Sequence, residues 1–75
     1  MDSQGIAFLA AGFGAALVTF AAAFGISKLA SAAMQGIARQ PEAADDIRGA
    51  TIITAAMIEG VALLSVVICL LLGLK

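Results

Sequence analysis

The side chain best placed to do chemistry in this sequence is Glu59, the one ionisable group within a long apolar stretch at residues 49–74. It lies about 2.5 residues from the midpoint of that stretch, which is roughly 4 Å along a helix axis. A carboxylate at this depth of a membrane cannot reach water, and residues that bear such a cost are usually functional. Because apolar surroundings disfavour the charged form, we expect Glu59 to rest protonated and to release its proton where the surroundings become hydrated.

Two other roles for Glu59 follow from the same residues. It could make a purely structural hydrogen bond between helices, although no Lys or Arg within the apolar stretches offers it a static ion pair. It could bind sodium, but a sodium ion requires several oxygen ligands. Gly60 and Val61 bring no side-chain oxygen, and Thr54 and Ser65 lie more than one helical turn away. The sequence therefore favours a proton, with sodium as the alternative.

The composition places the chain among membrane proteins, because 63% of its 75 residues are hydrophobic, only 12% are charged and the mean hydropathy is +1.12. A net charge of −1 without a basic patch argues against a nucleic-acid partner. One Cys and no His exclude an internal disulfide and a Cys/His metal site, so we expect no metal and no cofactor. The acidic start lacks the positive region of a secretory signal, which predicts that the whole chain is mature protein.

A second apolar stretch, residues 6–26, carries no charge, and each stretch is long enough to cross a hydrocarbon core of about 30 Å as a helix. The predicted fold is an all-α membrane protein with two transmembrane helices in an antiparallel hairpin. We expect helix one at about 5–38, a polar loop at about 39–42 and helix two at about 43–74.

The turn is predicted from the residues around Pro41. Arg39 suits the end of a helix, Gln40 is pushed out of helical conformation by the following proline, and Pro41 suits the start of a new helix. Acidic residues that favour a helix start follow it: Glu42, Asp45 and Asp46.

The positive charges predict the orientation of the hairpin. Lys28, Arg39 and Arg48 lie towards the loop, and Lys75 alone lies at the other end. The positive-inside rule therefore predicts a cytoplasmic loop, with both termini outside.

Small residues occupy every second position of one segment of helix one: Thr19, Ala21, Ala23, Gly25 and Ser27. On a helix, Thr19, Ala23 and Ser27 share one face, and Ala21 and Gly25 share another about 200° round. Small residues let membrane helices approach closely, so two such faces predict neighbours on both sides, as in a homo-oligomeric ring. The alternative is that alanine is simply common in apolar helices.

The segment GIARQPE at residues 36–42 resembles the polar-loop signature of the c-subunit of F-type ATP synthases. The acid in helix two and the alternating small residues of helix one are also similar to that family, and the resemblance covers essentially the whole chain. It implies a ring of identical copies in the inner (plasma) membrane that catalyses no bond chemistry itself.

The resemblance also implies roles for particular residues. Glu59 would carry a proton past the a-subunit, where an arginine of that protein promotes release. Arg39, Gln40 and Pro41 would contact the central stalk and transmit rotation, and membrane lipids would surround the ring, with Lys28 near the lipid headgroups.

The sequence departs from the family pattern at several positions. Sodium-binding members resemble a pattern with Gln on helix one and Ser after the acid, and the matching residues here are Ile26 and Gly60. Met57 matches a position that offers its backbone carbonyl near the ion. The alternating positions are often Gly in the family, whereas only Gly25 is Gly here.

Two other functional classes are compatible with a small membrane hairpin. One is a structural or regulatory protein that stabilises a larger complex, for which Glu59 would be dispensable. The other is a small multidrug-type exporter, and the absence of Trp and Tyr and the presence of only two spans count against it.

Overall fold

The computed structural model describes residues 2–75, which form two long helices joined by a short turn. Helix α1 spans Ser3–Arg39, a 3₁₀ turn spans Pro41–Ala43, and helix α2 spans Ala44–Gly73. Both helices are long and apolar enough to cross a membrane. The predicted all-helical hairpin is confirmed.

Helix α1 begins two residues earlier than the sequence predicts because Asp2 caps it. Oδ1 of Asp2 accepts a hydrogen bond from the backbone N–H of Gly5 at 2.7 Å. This bond satisfies one of the N–H groups that the first turn of a helix leaves without a partner.

The chain reverses at Gln40, whose φ of −134° and ψ of 76° are not helical. Pro41 disfavours the helical conformation in the residue before it, which ends α1. The N–H of Gln40 still donates to the carbonyl of Gly36 at 2.9 Å, and the N–H of Ala43 donates to the carbonyl of Gln40 at 2.9 Å. The turn therefore satisfies its own backbone and delivers the chain directly into α2.

Glycines of α1 set how closely and in which register the two helices pack. Three of them face side chains of α2: Gly14 faces Cys69, Gly25 faces Ile58 and Gly36 faces Ile47. In each of these facing pairs the two residue numbers add up to 83, as expected for antiparallel helices in a single register. By the same relation, Glu59 of α2 lies level with residue 24 of α1. Cys69 therefore packs in the interface between the two helices.

The hairpin buries almost nothing by itself. Its extents are 58 × 15 × 8 Å and its radius of gyration is 17.1 Å, against about 11 Å for a compact domain of this length. Ala33 is the only buried residue within the described range 2–75. Large apolar side chains such as Leu17 and Phe20 are 67% and 70% exposed. Lipid or other chains must cover these surfaces, as expected of a membrane protein.

The interface between α1 and α2 predicts the effect of Gly14→Val. A β carbon at Gly14 would lie 3.0 Å from Sγ of Cys69, so the larger side chain should force the helices apart and destabilise the hairpin by about 1–3 kcal/mol. Fluorophores near Ala11 and near Gly73, which pack together across the interface, would report opening as lost energy transfer during an SDS titration.

Gly12→Val is the matched control, because a β carbon at Gly12 meets no atom within 4 Å. Adding Cys69→Ala to Gly14→Val should restore part of the lost stability. Equal destabilisation by the two valine variants would contradict this description of the interface.

Candidate functional site

Glu59 lies at the middle of α2 and is exposed on the surface of the single hairpin. The nearest charged residues along α2 and its end are Arg48 and Lys75, each more than a dozen Å away along the axis at about 1.5 Å per residue. Glu59 is therefore far from any other charged group of its own helix, and its burial must come from lipid or from a neighbouring chain.

Glu59 lines a groove between the two helices. Helix α1 contributes Thr19, Ala22 and Ala23, and α2 contributes Glu59, Ala62, Leu63 and Val66. The three α1 residues are small enough to leave space beside the carboxyl group. Apart from the carboxyl group, the hydroxyl of Thr19 is the only polar side-chain group that lines this groove.

The carboxyl group of Glu59 has no countercharge in the hairpin. Across residues 2–75, the structure shows no hydrogen bond or ion pair to it. Arg48 is instead paired with Asp45 at 3.1 Å, and Lys28 lies in a different groove on α1, over the ring of Phe24. A carboxyl group left alone in hydrocarbon is more stable neutral than charged.

The two hydroxyls nearest to Glu59 along α2 are occupied by their own helix. Thr54 donates to the carbonyl of Ala50 at 2.8 Å, and Ser65 donates to the carbonyl of Val61 at 3.0 Å. In the part of the chain that the structure describes, no group of three or more His, Cys, Asp or Glu could hold a metal ion. The groove itself thus offers a cation one carboxyl group and one hydroxyl.

The structure places the three residues expected beside the ion outside this groove. Ile26 is half-buried on α1, and Met57 is 66% exposed and lines a separate apolar groove with Val18 and Ala21. Gly60 faces open space, with no atom within 4 Å of a β carbon built there. In a single hairpin none of the three lines the groove of the carboxyl group, so any role for them at the ion requires a second copy.

The sequence pattern assigned Thr19 and Ala23 to helix packing and did not reveal that they line the groove of Glu59. Ala22 was not singled out at all. The signal was available in the turn, because a reversal at Pro41 fixes which α1 residues lie level with each α2 residue.

The small-residue segment is divided between two surroundings. Gly25 faces Ile58 within the hairpin, whereas the other members are exposed: Thr19, Ala21, Ala23 and Ser27. Ala21 and Gly25 have different surroundings because residues four apart on a helix differ by about 40° in direction, so Gly25 points towards α2 and Ala21 points to one side of it. The exposed members leave small flanks on both sides of α1, where a second hairpin could pack closely.

The loop residues Arg39, Gln40 and Pro41 are all exposed at the end of the hairpin. They lie beyond the apolar stretches, so their side chains are available to a partner in water. Within the described residues they make no side-chain ion pair that would hold them to the hairpin.

Comparisons with known proteins agree with these features. The family model for the ATP synthase c-subunit matches residues 9–72. The chain is 56% identical over 67 residues to the ATP synthase c-subunit of Bacteroides thetaiotaomicron, covering 89% of this chain and 79% of that protein. It is 52% identical over 69 residues to the same protein of Phocaeicola vulgatus, covering 92% and 82%. Among solved structures, none matches significantly.

The family model spans both helices, the turn and Glu59, and the two relatives are matched over most of their length. The chain therefore belongs to the c-subunit family of ATP synthases, whose members form the ion-translocating rotor of that enzyme in the membrane.

Proposed function

We propose that this chain is the proton-carrying component of the rotor ring of an F-type ATP synthase, and that Glu59 is the carrier. The observation that supports the proposal is a single carboxyl group at the middle of a membrane helix, in a groove without any countercharge. Such a group binds a proton while it faces hydrocarbon and loses it when it reaches a hydrated or positively charged surface.

The coupled ion is a proton rather than sodium. Sodium binding requires several oxygen atoms arranged around the ion, as hard cations generally do. The Thr54 and Ser65 hydroxyls are bonded to their own helix, and Ile26 and Gly60 bring no oxygen where the sodium-binding pattern has Gln and Ser. A proton needs only one donor and one acceptor.

Release of the proton requires a partner that the hairpin lacks. Arg48 lies more than a dozen Å from Glu59 along the axis at about 1.5 Å per residue, and Lys28 lines another groove. The positive charge that stabilises ionised Glu59 must therefore come from another protein of the complex. We assign this role to an arginine of the a-subunit, past which the ring carries each Glu59 in turn. The ring moves ions and makes no covalent bonds itself.

We infer the ring from the small residues that α1 exposes on two of its sides, because each side can pack against a neighbouring copy. Thr19 and Ala23 on one side and Ala21 on the other present small exposed surfaces to neighbouring hairpins. With α1 inside and α2 outside, each Glu59 lies between neighbours near the outer surface. Arg39, Gln40 and Pro41 project from the cytoplasmic end and contact the central stalk, and the termini lie outside the cell membrane.

Replacement of the carrier should stop transport without preventing assembly. Glu59→Gln keeps the shape of the protonated acid but cannot release a proton, so ATP-driven acidification of inverted membrane vesicles should be abolished while intact rings are still isolated. Asp45→Asn is the control, because it removes a carboxylate outside the apolar stretch. Normal acidification of vesicles that contain the Glu59→Gln variant would contradict the proposal.

The ion can be tested directly in liposomes that contain the purified complex. ATP-driven proton uptake should be the same with and without added sodium chloride when potassium chloride keeps the ionic strength constant. The physical reason is the shortage of oxygen ligands around Glu59. Uptake of radioactive sodium that resists a protonophore would show the sodium-coupled alternative instead.

The ring can be tested by the mass of the detergent-solubilised assembly. We expect a single species whose mass is a multiple of the 7.5 kDa chain. Ala23→Leu should disrupt it because the side chain fills the space that a neighbour requires. Phe24→Leu, on the face of α1 away from α2, should leave it intact. A monomer or dimer for the unmodified chain would overturn the ring.

A further inference from the structure

We propose that adjacent copies of this chain are joined at the loop end of α2 by an ion pair between Arg48 of one copy and Asp46 of the next. Residues two apart on a helix do not face each other, so the two side chains of one copy cannot pair. The inference rests on the proposed ring, in which every hairpin has an identical neighbour on each side. It adds a polar contact to the close packing of small residues.

The contact between the two helices repeats every eleven residues. Glycines at positions 14, 25 and 36 of α1 face side chains at positions 69, 58 and 47 of α2. Eleven residues make close to three full turns at about 3.6 residues per turn. Residues of one helix that lie eleven apart therefore point in the same direction relative to the other helix.

Two grooves between the helices define two opposite sides of the hairpin. Ala22 and Ala62 line both grooves and therefore mark the line where the grooves meet. Glu59 lines one groove and Met57 lines the other, and we call the two sides the Glu59 flank and the Met57 flank. A closed ring of identical copies joins the Glu59 flank of one hairpin to the Met57 flank of the next.

The eleven-residue repeat assigns two charges near the loop to these flanks. Arg48 precedes Glu59 by eleven residues, and Asp46 precedes Met57 by eleven. Arg48 therefore lies on the Glu59 flank, and Asp46 lies on the Met57 flank. Because equivalent residues of a ring lie at the same depth, Arg48 of one copy and Asp46 of the next differ in depth by two residues, about 3 Å. Opposite charges thus meet at each contact between copies.

Both side chains have capacity for this pair. The carboxylate of Asp46 is exposed, and across residues 2–75 it takes part in no side-chain hydrogen bond or ion pair. Arg48 contacts Asp45 at 3.1 Å through a single nitrogen. A guanidinium group has five N–H donors, so Arg48 can hold a second carboxylate while it keeps the first.

Other charged residues near the turn point elsewhere. Arg39 follows Lys28 by eleven residues and so points to the same face of α1 as Lys28, whose groove lies on α1 alone. Asp45 precedes Ala56 by eleven residues, and Ala56 is exposed and lines neither groove between the helices. Asp46 is therefore the acid of α2 that lies on the Met57 flank.

The position of the pair strengthens it. Asp46 and Arg48 immediately precede the apolar stretch that begins at Gly49, so they lie where hydrocarbon gives way to water. An ion pair in open water contributes little, but a pair covered by a neighbouring copy beside hydrocarbon is less screened. Because the same pair recurs at every contact of the ring, it holds adjacent copies at equal depth.

The facing flanks can be tested by cross-linking two variants that are expressed together in the complete complex, one with Asp46→Cys and one with Arg48→Cys, both on a Cys69→Ala background. A short bis-maleimide is used because an Arg–Asp pair spans a longer distance than a disulfide bridges. Dimers that contain one chain of each kind should form. Each variant alone should give few dimers, since each thiol then faces a flank without one, and equal yields in all three samples would overturn the proposal.

The charges can be tested by the temperature at which purified rings separate into chains in SDS. Asp46→Lys and Arg48→Glu each place like charges at every contact, so either change alone should lower that temperature or prevent assembly. The two changes together exchange the charges and should restore most of the loss. Asp45→Asn is the matched control, because it removes only the pair within the hairpin and should leave the temperature unchanged. No recovery in the double variant would contradict the ion pair.

Both measurements are made without ATP or a proton gradient, so they do not depend on Glu59 as the proton carrier. A monomeric mass for the unmodified chain would contradict the proposed ring itself. Intact rings without cross-linked dimers and without recovery on charge exchange would contradict only the ion pair.

Discussion

The close packing of α1 against α2 is the constraint on which the other features depend. Glycines at positions 14, 25 and 36 allow the side chains of Cys69, Ile58 and Ile47 to approach the α1 backbone, and these contacts fix one register along the whole hairpin. The register decides which small residues lie beside Glu59 and how deep Lys28 lies. A slip of one residue would turn different side chains towards the groove, because neighbours on a helix differ by about 100°.

The sequence predicted the hairpin well because the features that indicate it are either confined to a few neighbouring residues, as the turn is, or summed over many residues, as the hydrophobicity of each helix is. Two apolar stretches and a proline between charged residues are sufficient for two helices and a turn. The start of α1 was missed by two residues because the bond from Gly5 to Asp2 depends on a single side chain. Glu59 was the clearest candidate for a functional residue because a lone acid in an apolar helix has few explanations.

The surroundings of Glu59 were less predictable, since they depend on which side chains of two helices converge. Spacing along α1 grouped Thr19 with Ala23 but gave no reason to connect them with an acid on the other helix. The resemblance pointed to Ile26, Met57 and Gly60, which line no common groove with Glu59 in one hairpin. Contacts that form only between copies cannot be read from the periodicity of one chain.

The separation of Lys28 from Glu59 is as important as the position of either residue. The two lie about one helical turn apart in depth but line different grooves. In the proposed carrier mechanism, an ammonium group beside Glu59 would stabilise the ionised acid in hydrocarbon and would prevent the proton from rebinding after release. The contact of Lys28 with Phe24 positions the amine in its own groove, away from that of Glu59. Glu59 is then left with no permanent partner in the described hairpin, which is the condition that the proposed mechanism requires if a passing positive charge is to control its proton.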